Sequence, residues 1–340
     1  MKRENLKIDF VLLWVDGNDP AWRKSFLAYL PESKRNDDVG ESRYRDWGLL
    51  PYWFRGVEQF APWVNKIHFI TCGHYPEWLN RNHPKLNLVK HSDYMPSGSL
   101  PVFNSNPIEL NLHRIESLSE HFVLFNDDFF IVDKVQPSRF FHNNLPCDMG
   151  VFDVVASVSS TEKIAHIILN NVSLINQKFN KLESLRSHKG KWFNWKYGLG
   201  LLRNLALLPW PYFTGFLNPH LPNAYLKSTL REVWDCYGDC LMEASLERFR
   251  SVNDISHWLF RYWQLVKGEF HPINVRRTSV YYPINERILP EIEDVILHQK
   301  KQIVVLNEED KGISVPFEEC QKRIHAAFQQ ILPQKSSFEK

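Results

Sequence analysis

The stretch FVLFNDDFFIV, Phe122 to Val132, constrains the fold of this chain more than any other. An apolar run delivers Asn126, Asp127 and Asp128 and then closes again with Phe129 and Phe130. Hydrophobic runs of this length read as a buried strand. Two adjacent carboxylates inside one repel each other, and each costs on the order of several kcal/mol if left unpaired in a dry core. They need a partner, and a divalent cation is the natural one. Carboxylate oxygens suit Mg2+ or Mn2+, which in turn bind phosphates. The feature therefore points to chemistry on a phosphorylated substrate, with sugar nucleotides first among the candidates.

Strand-like and helix-like patterns alternate around it. Ile8 to Val15 reads as a first buried strand, ended by the turn residues Asp16-Gly17-Asn18-Asp19-Pro20. Trp47, Leu50, Phe54, Val57 and Phe60 recur at helical spacing, with Pro51 tolerable in the first turn. Lys66 to Thr71 and Leu86 to Lys90 read as strands, Ile108 to Leu118 as a helix and Phe122 to Phe125 as a fourth strand. This order predicts an α/β fold with a mostly parallel sheet. Ligands of such sheets sit at the carboxyl ends of the strands, where Asp16, Gly73 and Asp127 all fall.

Past about Gly150 the pattern becomes mainly helical, with helices expected over Ser228 to Arg250 and Ile255 to Val266. The expected organisation is an α/β core for nucleotide sugar and metal over 1–150, a mainly helical portion over 151–305 that completes the site, and a peripheral charged tail over 306–340. Residues 201–213, LLRNLALLPWPYF, read as a core helix, with a position against a membrane surface as the alternative. No apolar stretch reaches the roughly 20 residues that a spanning helix needs.

Composition narrows the classes. A net charge of +2 gives no electrostatic case for nucleic acid. The 12 Trp and 23 Phe are explained mostly by a large core, although Trp and Tyr also line sugar sites. Cys72, Cys147, Cys236, Cys240 and Cys320 are odd in number and scattered, which suits reduced thiols in the cytoplasm better than a zinc site. The N-terminal MKRENLKIDF carries no apolar signal segment.

Several short motifs are candidates, each with an ordinary structural explanation beside it. Trp14-Val15-Asp16-Gly17 could seat a base and ribose, with Gly17 permitting close backbone approach, or be a plain turn. Arg43, Arg45 and Asp46 could grip phosphate or form a solvated charge cluster. Asn104 and Ser105 precede Pro107 at a helix start, where amides and hydroxyls suit a phosphate or serve merely as a cap. His220 lies between Pro219 and Pro222, which stiffen its loop and suit it to the role of general base. Arg248 and Arg250, near Asp254, form a second basic cluster able to neutralise a phosphoryl group.

In order along the chain, four blocks resemble those of the Stealth family of sugar-1-phosphate transferases. They are IDFVLLWVDGNDP (Ile8 to Pro20), the segment from RYRDWGLLPYWFRGVEQF to FVLFNDDFF, FLNPHLPNAYLKSTLREVW, and RFRSVNDISHWLFRYW. The family includes bacterial capsular polysaccharide phosphotransferases and the catalytic subunit of the lysosomal N-acetylglucosamine-1-phosphotransferase, and the wording here is similar to the bacterial branch. Leu49 and Pro51 depart from a Glu and a basic residue common in the second block.

The resemblance implies transfer of a sugar-1-phosphate from a nucleotide sugar, most often UDP-linked, to a hydroxyl of an acceptor glycan, with release of UMP. It implies Asp127 and Asp128 as ligands of Mg2+ or Mn2+, His220 as base, and Arg250 with Arg43 or Arg45 on the phosphoryl oxygens. Asp128 also counts as catalytic on this reading, and Asp46, Asn104, Ser105, Asn126 and the Trp14 to Gly17 loop bind substrate. The expected setting is the cytoplasmic face of a bacterial membrane, with peripheral association and a lipid-linked acceptor compatible with it. A metal-dependent glycosyltransferase that releases UDP, and a catalytically inactive glycan-binding protein, are the two rival readings.

Overall fold

The computed structural model describes residues 6–32, 45–308 and 317–340. In chain order the strands are β1 (Ile8–Leu13), β2 (Ile67–Thr71), β3 (Leu86–Lys90), β4 (His121–Phe125), β5 (Phe129–Ile131), β6 (Phe141–His142), β7 (Leu145–Asp148), β8 (Asn223–Leu226), β9 (His271–Pro272), β10 (Ser279–Pro283) and β11 (Ile303–Asn307). The helices are α1 (Pro20–Tyr29), α2 (Leu50–Phe60), α3 (Ser105–Leu110), α4 (Lys163–Lys178), α5 (Lys181–Ser187), α6 (Lys189–Trp192), α7 (Gly200–Ala206), α8 (Lys227–Ser245), α9 (Trp258–Val266), α10 (Leu289–Leu297) and α11 (Phe317–Ile331).

The main sheet runs β3-β2-β1-β4-β8. Its first four strands are parallel, and β8 closes the edge antiparallel to β4. The fold class is thus the expected α/β with a mostly parallel sheet. Register aligns Leu12 of β1 with Phe69 of β2 on one side and Phe125 of β4 on the other. The loops that follow these three strands therefore leave from one edge of the sheet. They carry Trp14 to Gly17, Cys72 to His74, and Asn126 to Asp128.

Strand β1 is apolar on both faces except for Asp9, which is fully buried. Its carboxylate accepts from Asn65 Nδ2 at 2.7 Å and the Ser119 N–H at 2.8 Å, and lies 3.0 Å from His68 Nε2. Burial alone would raise its pKa; the three hydrogen bonds and the His68 charge overcome that and lower it. A buried carboxylate so satisfied is a local tie between β1 and its neighbours.

Strand β5 leaves this sheet and pairs antiparallel with β11, which is parallel to β10. Helix α2 lies against β5 so closely that a Cβ on Gly56 would come within 2.3 Å of the Ile131 carbonyl oxygen. Only glycine permits that approach.

The structure corrects five expectations. The apolar run around the Asp pair is two strands, β4 and β5, with a turn between them, because the carboxylates leave the core. The helix expected over Ile108 to Leu118 begins earlier as α3 and breaks at Asn111 into a short 3-10 turn over Leu112–Arg114. Asn111 is buried, and its amide donates to the Pro107 carbonyl and to Ser245 Oγ, bonds that hold the break. The helix expected from Ile255 starts only at Trp258.

The segment read as a peripheral tail contains α11, whose Cys320, Ile324, Ala327 and Phe328 are buried in the main core while its charges face outward. Phe338 packs on Phe54 at 5.2 Å beyond it. Spacing of three and four residues between those apolar positions is the amphipathic signature, hidden in sequence by the surrounding charge. Finally, α7 is not a core helix: its Leu202 and Leu205 face solvent.

Candidate active site

The turn between β4 and β5 is built by its neighbours. Phe129 N–H donates back to the Asn126 carbonyl, and the Leu306 N–H at the end of β11 donates to the Asp128 carbonyl at 3.0 Å. Asn307 Nδ2 donates to Asp128 Oδ2 at 3.3 Å. Backbone and β11 thus hold the carboxylates in a turn whose flanking residues, Asn126 and Phe129, line a cleft. Asp127 keeps contact with solvent there. Its pKa is nonetheless raised, by desolvation against the surrounding protein and then by the like charges of Asp128 and Asp46.

His220 arrives from the loop before β8. Its Nε2 lies 3.6 Å from Asp128 Oδ2 and has no hydrogen-bond partner. Phe129 and Tyr281 meet the ring edge-on at 5.2 and 5.5 Å. The loop is pinned from below. Arg261, almost wholly buried, donates to both oxygens of Asp148 at 2.7 and 2.9 Å and to Asn218 Oδ1 at 2.9 Å. Asn218 Nδ2 donates to Tyr262 Oη. A buried bidentate pair thus fixes the residue two places before His220.

Asp148→Ala strips Arg261 of its counter-ion in a closed site. It is expected to cost about 3–5 kcal/mol in urea denaturation. The double replacement Asp148→Leu with Arg261→Met should recover a large part of that loss. A single variant indistinguishable from the parent would show that the pair does not hold the loop.

Helix α3 forms the opposite wall. Asn104 accepts from the Asn106 N–H as the helix cap, and both amides donate to the buried Asp254 at 2.7 and 2.8 Å. Asn104 is therefore built into the wall, and Ser105 faces the cleft instead. Arg250 Nη2 donates to Ser105 Oγ at 3.4 Å. Arg248 turns elsewhere, toward the Gly98 and Leu100 carbonyls.

Two residues on this wall were not anticipated. Glu109 is buried, and desolvation raises its carboxyl pKa to about 8 against the lowering influence of Arg250 and Ser105. His257 Nε2 stands 3.9 Å from Glu109, and its Nδ1 lies 2.7 Å from Tyr225 Oη. Burial first, then His220 and Arg261, depress the His257 pKa to about 3. Burial thus pushes both Glu109 and His257 toward their uncharged forms beside Arg250. The signal for Glu109 was present: it follows Ser105 by four residues, one turn along the same face of α3.

Ser105, Asn126, Glu109, His220, Arg250 and His257 line one cleft of about 660 Å³, open to solvent. A separate cleft lined by Val57, His83 and Phe338 contains none of the expected site residues. The Trp14 to Gly17 loop joins the same region through packing. Trp14 stacks on Phe69 at 5.6 Å, and Val15 packs with Phe103 and Phe249 on Trp22 and Phe26. Phe103 and Phe249 immediately precede Asn104 and Arg250. The Asp16 N–H donates to His74 Nε2 at 2.8 Å, and the Gly17 carbonyl accepts from Arg23 Nε at 2.7 Å.

Arg45 departs from expectation. It pairs with Glu308 at 2.8 Å and lies over the Phe317 ring, so its guanidinium is engaged within the protein. Asp46 accepts from the Gly48 N–H and contributes charge near Asp127. Arg43 lies outside the described residues. Leu49 and Pro51 have structural places: Leu49 is buried in the core, and Pro51 occupies the first turn of α2.

Two family profiles match the sequence: Stealth protein CR1, conserved region 1, over residues 6–34, and Stealth protein CR2, conserved region 2, over 43–148. The capsular polysaccharide phosphotransferase WcwK of Streptococcus pneumoniae is 44% identical over 335 residues, 98% of either chain. The chain belongs to the Stealth family. This Stealth protein is also 40% identical to the exopolysaccharide phosphotransferase cps2G of Lactiplantibacillus plantarum, over 98% of its own length and 96% of that relative. It is 39% identical to the receptor polysaccharide phosphotransferase WefC of Streptococcus gordonii, over 98% and 99%. Like them, this Stealth protein is a transferase.

Among solved structures, the galactosyltransferase LgtC in complex with donor and acceptor sugar analogues aligns over 97% of this chain and 98% of that one, at 9% identity and a TM-score of 0.39. That likeness is too loose to assign chemistry.

Proposed function

We propose that this Stealth protein transfers a sugar-1-phosphate from a UDP-linked sugar to a hydroxyl of an acceptor glycan in capsular or cell-surface polysaccharide. The observation that carries the reading is the meeting of His220 and Asp128, 3.6 Å apart, beside a cleft that His220 and Arg250 line. Attack at phosphorus needs a base on the hydroxyl and positive charge around the phosphoryl oxygens.

The donor set fits Mg2+ or Mn2+. Adjacent carboxylates share one turn, one of them pushed toward protonation, and beside Asp128 a buried His220 nitrogen lacks a partner. Among the described residues no group of three or more His, Cys, Asp or Glu side chains is placed to hold a metal ion, so the protein would supply the carboxylate pair alone. An Mg2+ site characteristically takes one or two carboxylates and completes its shell with water and substrate phosphates. Asp127 and Asp128 hold the ion on this reading, and when bound it neutralises charge on the diphosphate.

His220 Nε2 takes the acceptor hydroxyl proton, and the carboxylate of Asp128 beside it steadies the imidazolium that forms. The acceptor oxygen bonds to the β-phosphorus. The bond from that phosphorus to the bridging oxygen breaks, and UMP leaves with the oxygen. Arg250 spans the equatorial phosphoryl oxygens, and Ser105 orients it. Glu109, protonated near neutrality, donates a hydrogen bond at the same wall. Trp14, Val15, Asp16 and Gly17 seat the uridine, and Asn126 and Asp46 lie beside the diphosphate. The α/β core over 1–150 binds donor and metal, and the portion over 151–305 supplies His220 and Arg250. The enzyme works at the cytoplasmic face of the membrane on a lipid-linked acceptor.

The test is product analysis with a panel of UDP-sugars that includes UDP-N-acetylglucosamine, in the presence of acceptor polysaccharide. UMP is the expected nucleotide product with the true donor. UDP as the sole nucleotide product would assign the cleft to glycosyl transfer.

A further inference from the structure

Helix α7 is built inside out. Its only buried residue is Asn204, a polar one. Asn204 Nδ2 donates to the Gly150 and Trp192 carbonyls at 2.7 Å each, and its Oδ1 accepts from the Phe152 N–H at 2.7 Å. These bonds turn the leucines outward. Leu199 is 83% exposed and Leu202 61%, with Leu205 on the same face. On either side stand exposed aromatics, Trp195 at 77% and Tyr212 at 66%, with Trp210 between helix and Tyr212.

The face is rigid. Lys181 Nζ donates to the Leu207 and Trp210 carbonyls at 2.7 Å each, and the Phe213 N–H donates to Asn176 at 2.9 Å. A fold that spends a buried asparagine to hold leucines and tryptophans in water is presenting them to something. Contiguous exposed apolar patches mark interaction sites.

Charge says what covers the face. From Ser184 to Phe213 the chain has no Asp or Glu, yet carries Arg186, Lys189, Lys191, Lys196 and Arg203. Of the acids nearby, Asp153 is matched by Arg203 at 2.7 Å, and Glu269 lies near Lys191. Leucines to insert, Trp and Tyr at their margin and a surround of basic charge suit the interface of a bilayer that contains anionic lipid. Among the described residues no helix is long and apolar enough to cross a membrane, so contact through this face is peripheral.

We propose that the surface over residues 195–212 docks the enzyme on an anionic phospholipid bilayer. This deepens the membrane-side reading of the function and rests on it. The docked segment is followed in the chain, eight residues after Tyr212, by His220.

The test uses the full chain with vesicles of phosphatidylcholine alone or mixed with phosphatidylglycerol, in a sedimentation assay at low and high salt. Binding is expected to the mixed vesicles only, and to weaken as salt rises. The pair Leu202→Glu and Leu205→Glu is expected to reduce it at least about tenfold, since it removes two inserting side chains and adds repulsion. Both side chains already face water, so the melting temperature and the release of UMP with a water-soluble acceptor should be unchanged.

Equal binding by parent and variant overturns the proposal. So does failure of the parent to bind, or a parent dimer in sedimentation velocity that the variant abolishes, which would give the face to a second copy. Loss of vesicle binding with UMP release intact separates the surface from the reaction. Vesicle binding without any UMP release would sink the proposed reaction and leave the surface standing.

Discussion

Asp128→Asn is expected to lower turnover on the order of 1,000-fold or more. Lewis-acid stabilisation of a phosphoryl centre is worth several kcal/mol, and each ~1.4 kcal/mol is tenfold in rate. The replacement keeps the shape of the side chain, and the strand anchor at this residue is its backbone carbonyl, which accepts from the Leu306 N–H whatever the side chain. The fold should therefore survive, with a melting temperature close to that of the parent. Excess EDTA should abolish activity of the parent, and Mg2+ or Mn2+ should restore it. Full activity in EDTA, or an Asp128→Asn enzyme that turns over normally, would remove the metal and its ligands from the account.

His220→Gln is expected to cost on the order of 100- to 10,000-fold in kcat, the usual range for a general base. Donor affinity should change little, because the imidazole acts on the acceptor. Glutamine keeps a polar tip between Phe129 and Tyr281 but cannot accept and hold a proton. Loss of donor affinity at unchanged kcat would make His220 a binding residue. Steady-state kinetics with varied donor and varied acceptor separates the two cases.

Where much of the candidate site lies in the fold was legible in the sequence, because its residues sit at strand ends or in stiffened loops. Apolar runs at Ile8, Lys66, Leu86 and Phe122 fix β1 to β4, and parallel register then brings the Asp16, Gly73 and Asp127 loops to one edge. His220 stands out through the prolines that flank it. Arg45 was misplaced for a physical reason: its partner Glu308 is 263 residues away, and no local pattern reports a pairing of that range. Asn104 was misread because a helix cap and a ligand site use the same side chains, and only the distant Asp254 decides between them. Glu109 escaped because burial, not residue type, gives it its character. The core role of α11 was masked by charges on its outer face, although the spacing of Cys320, Ile324, Ala327 and Phe328 carried it.

The central claim is attack at phosphorus rather than carbon. It is tested most directly with a UDP-sugar radiolabelled at the β-phosphorus, the one joined to the sugar, incubated with enzyme, divalent cation and acceptor polysaccharide. In phosphoryl transfer the label stays with the sugar, enters the polymer and resists phosphatase, because a diester offers no terminal phosphate. The nucleotide released is then unlabelled UMP. In glycosyl transfer the C1–oxygen bond breaks and the label leaves in UDP. Label in the glycan, resistant to phosphatase, is the predicted result; label wholly in UDP would contradict the function assigned to His220 and Arg250 and leave the fold and family unchanged.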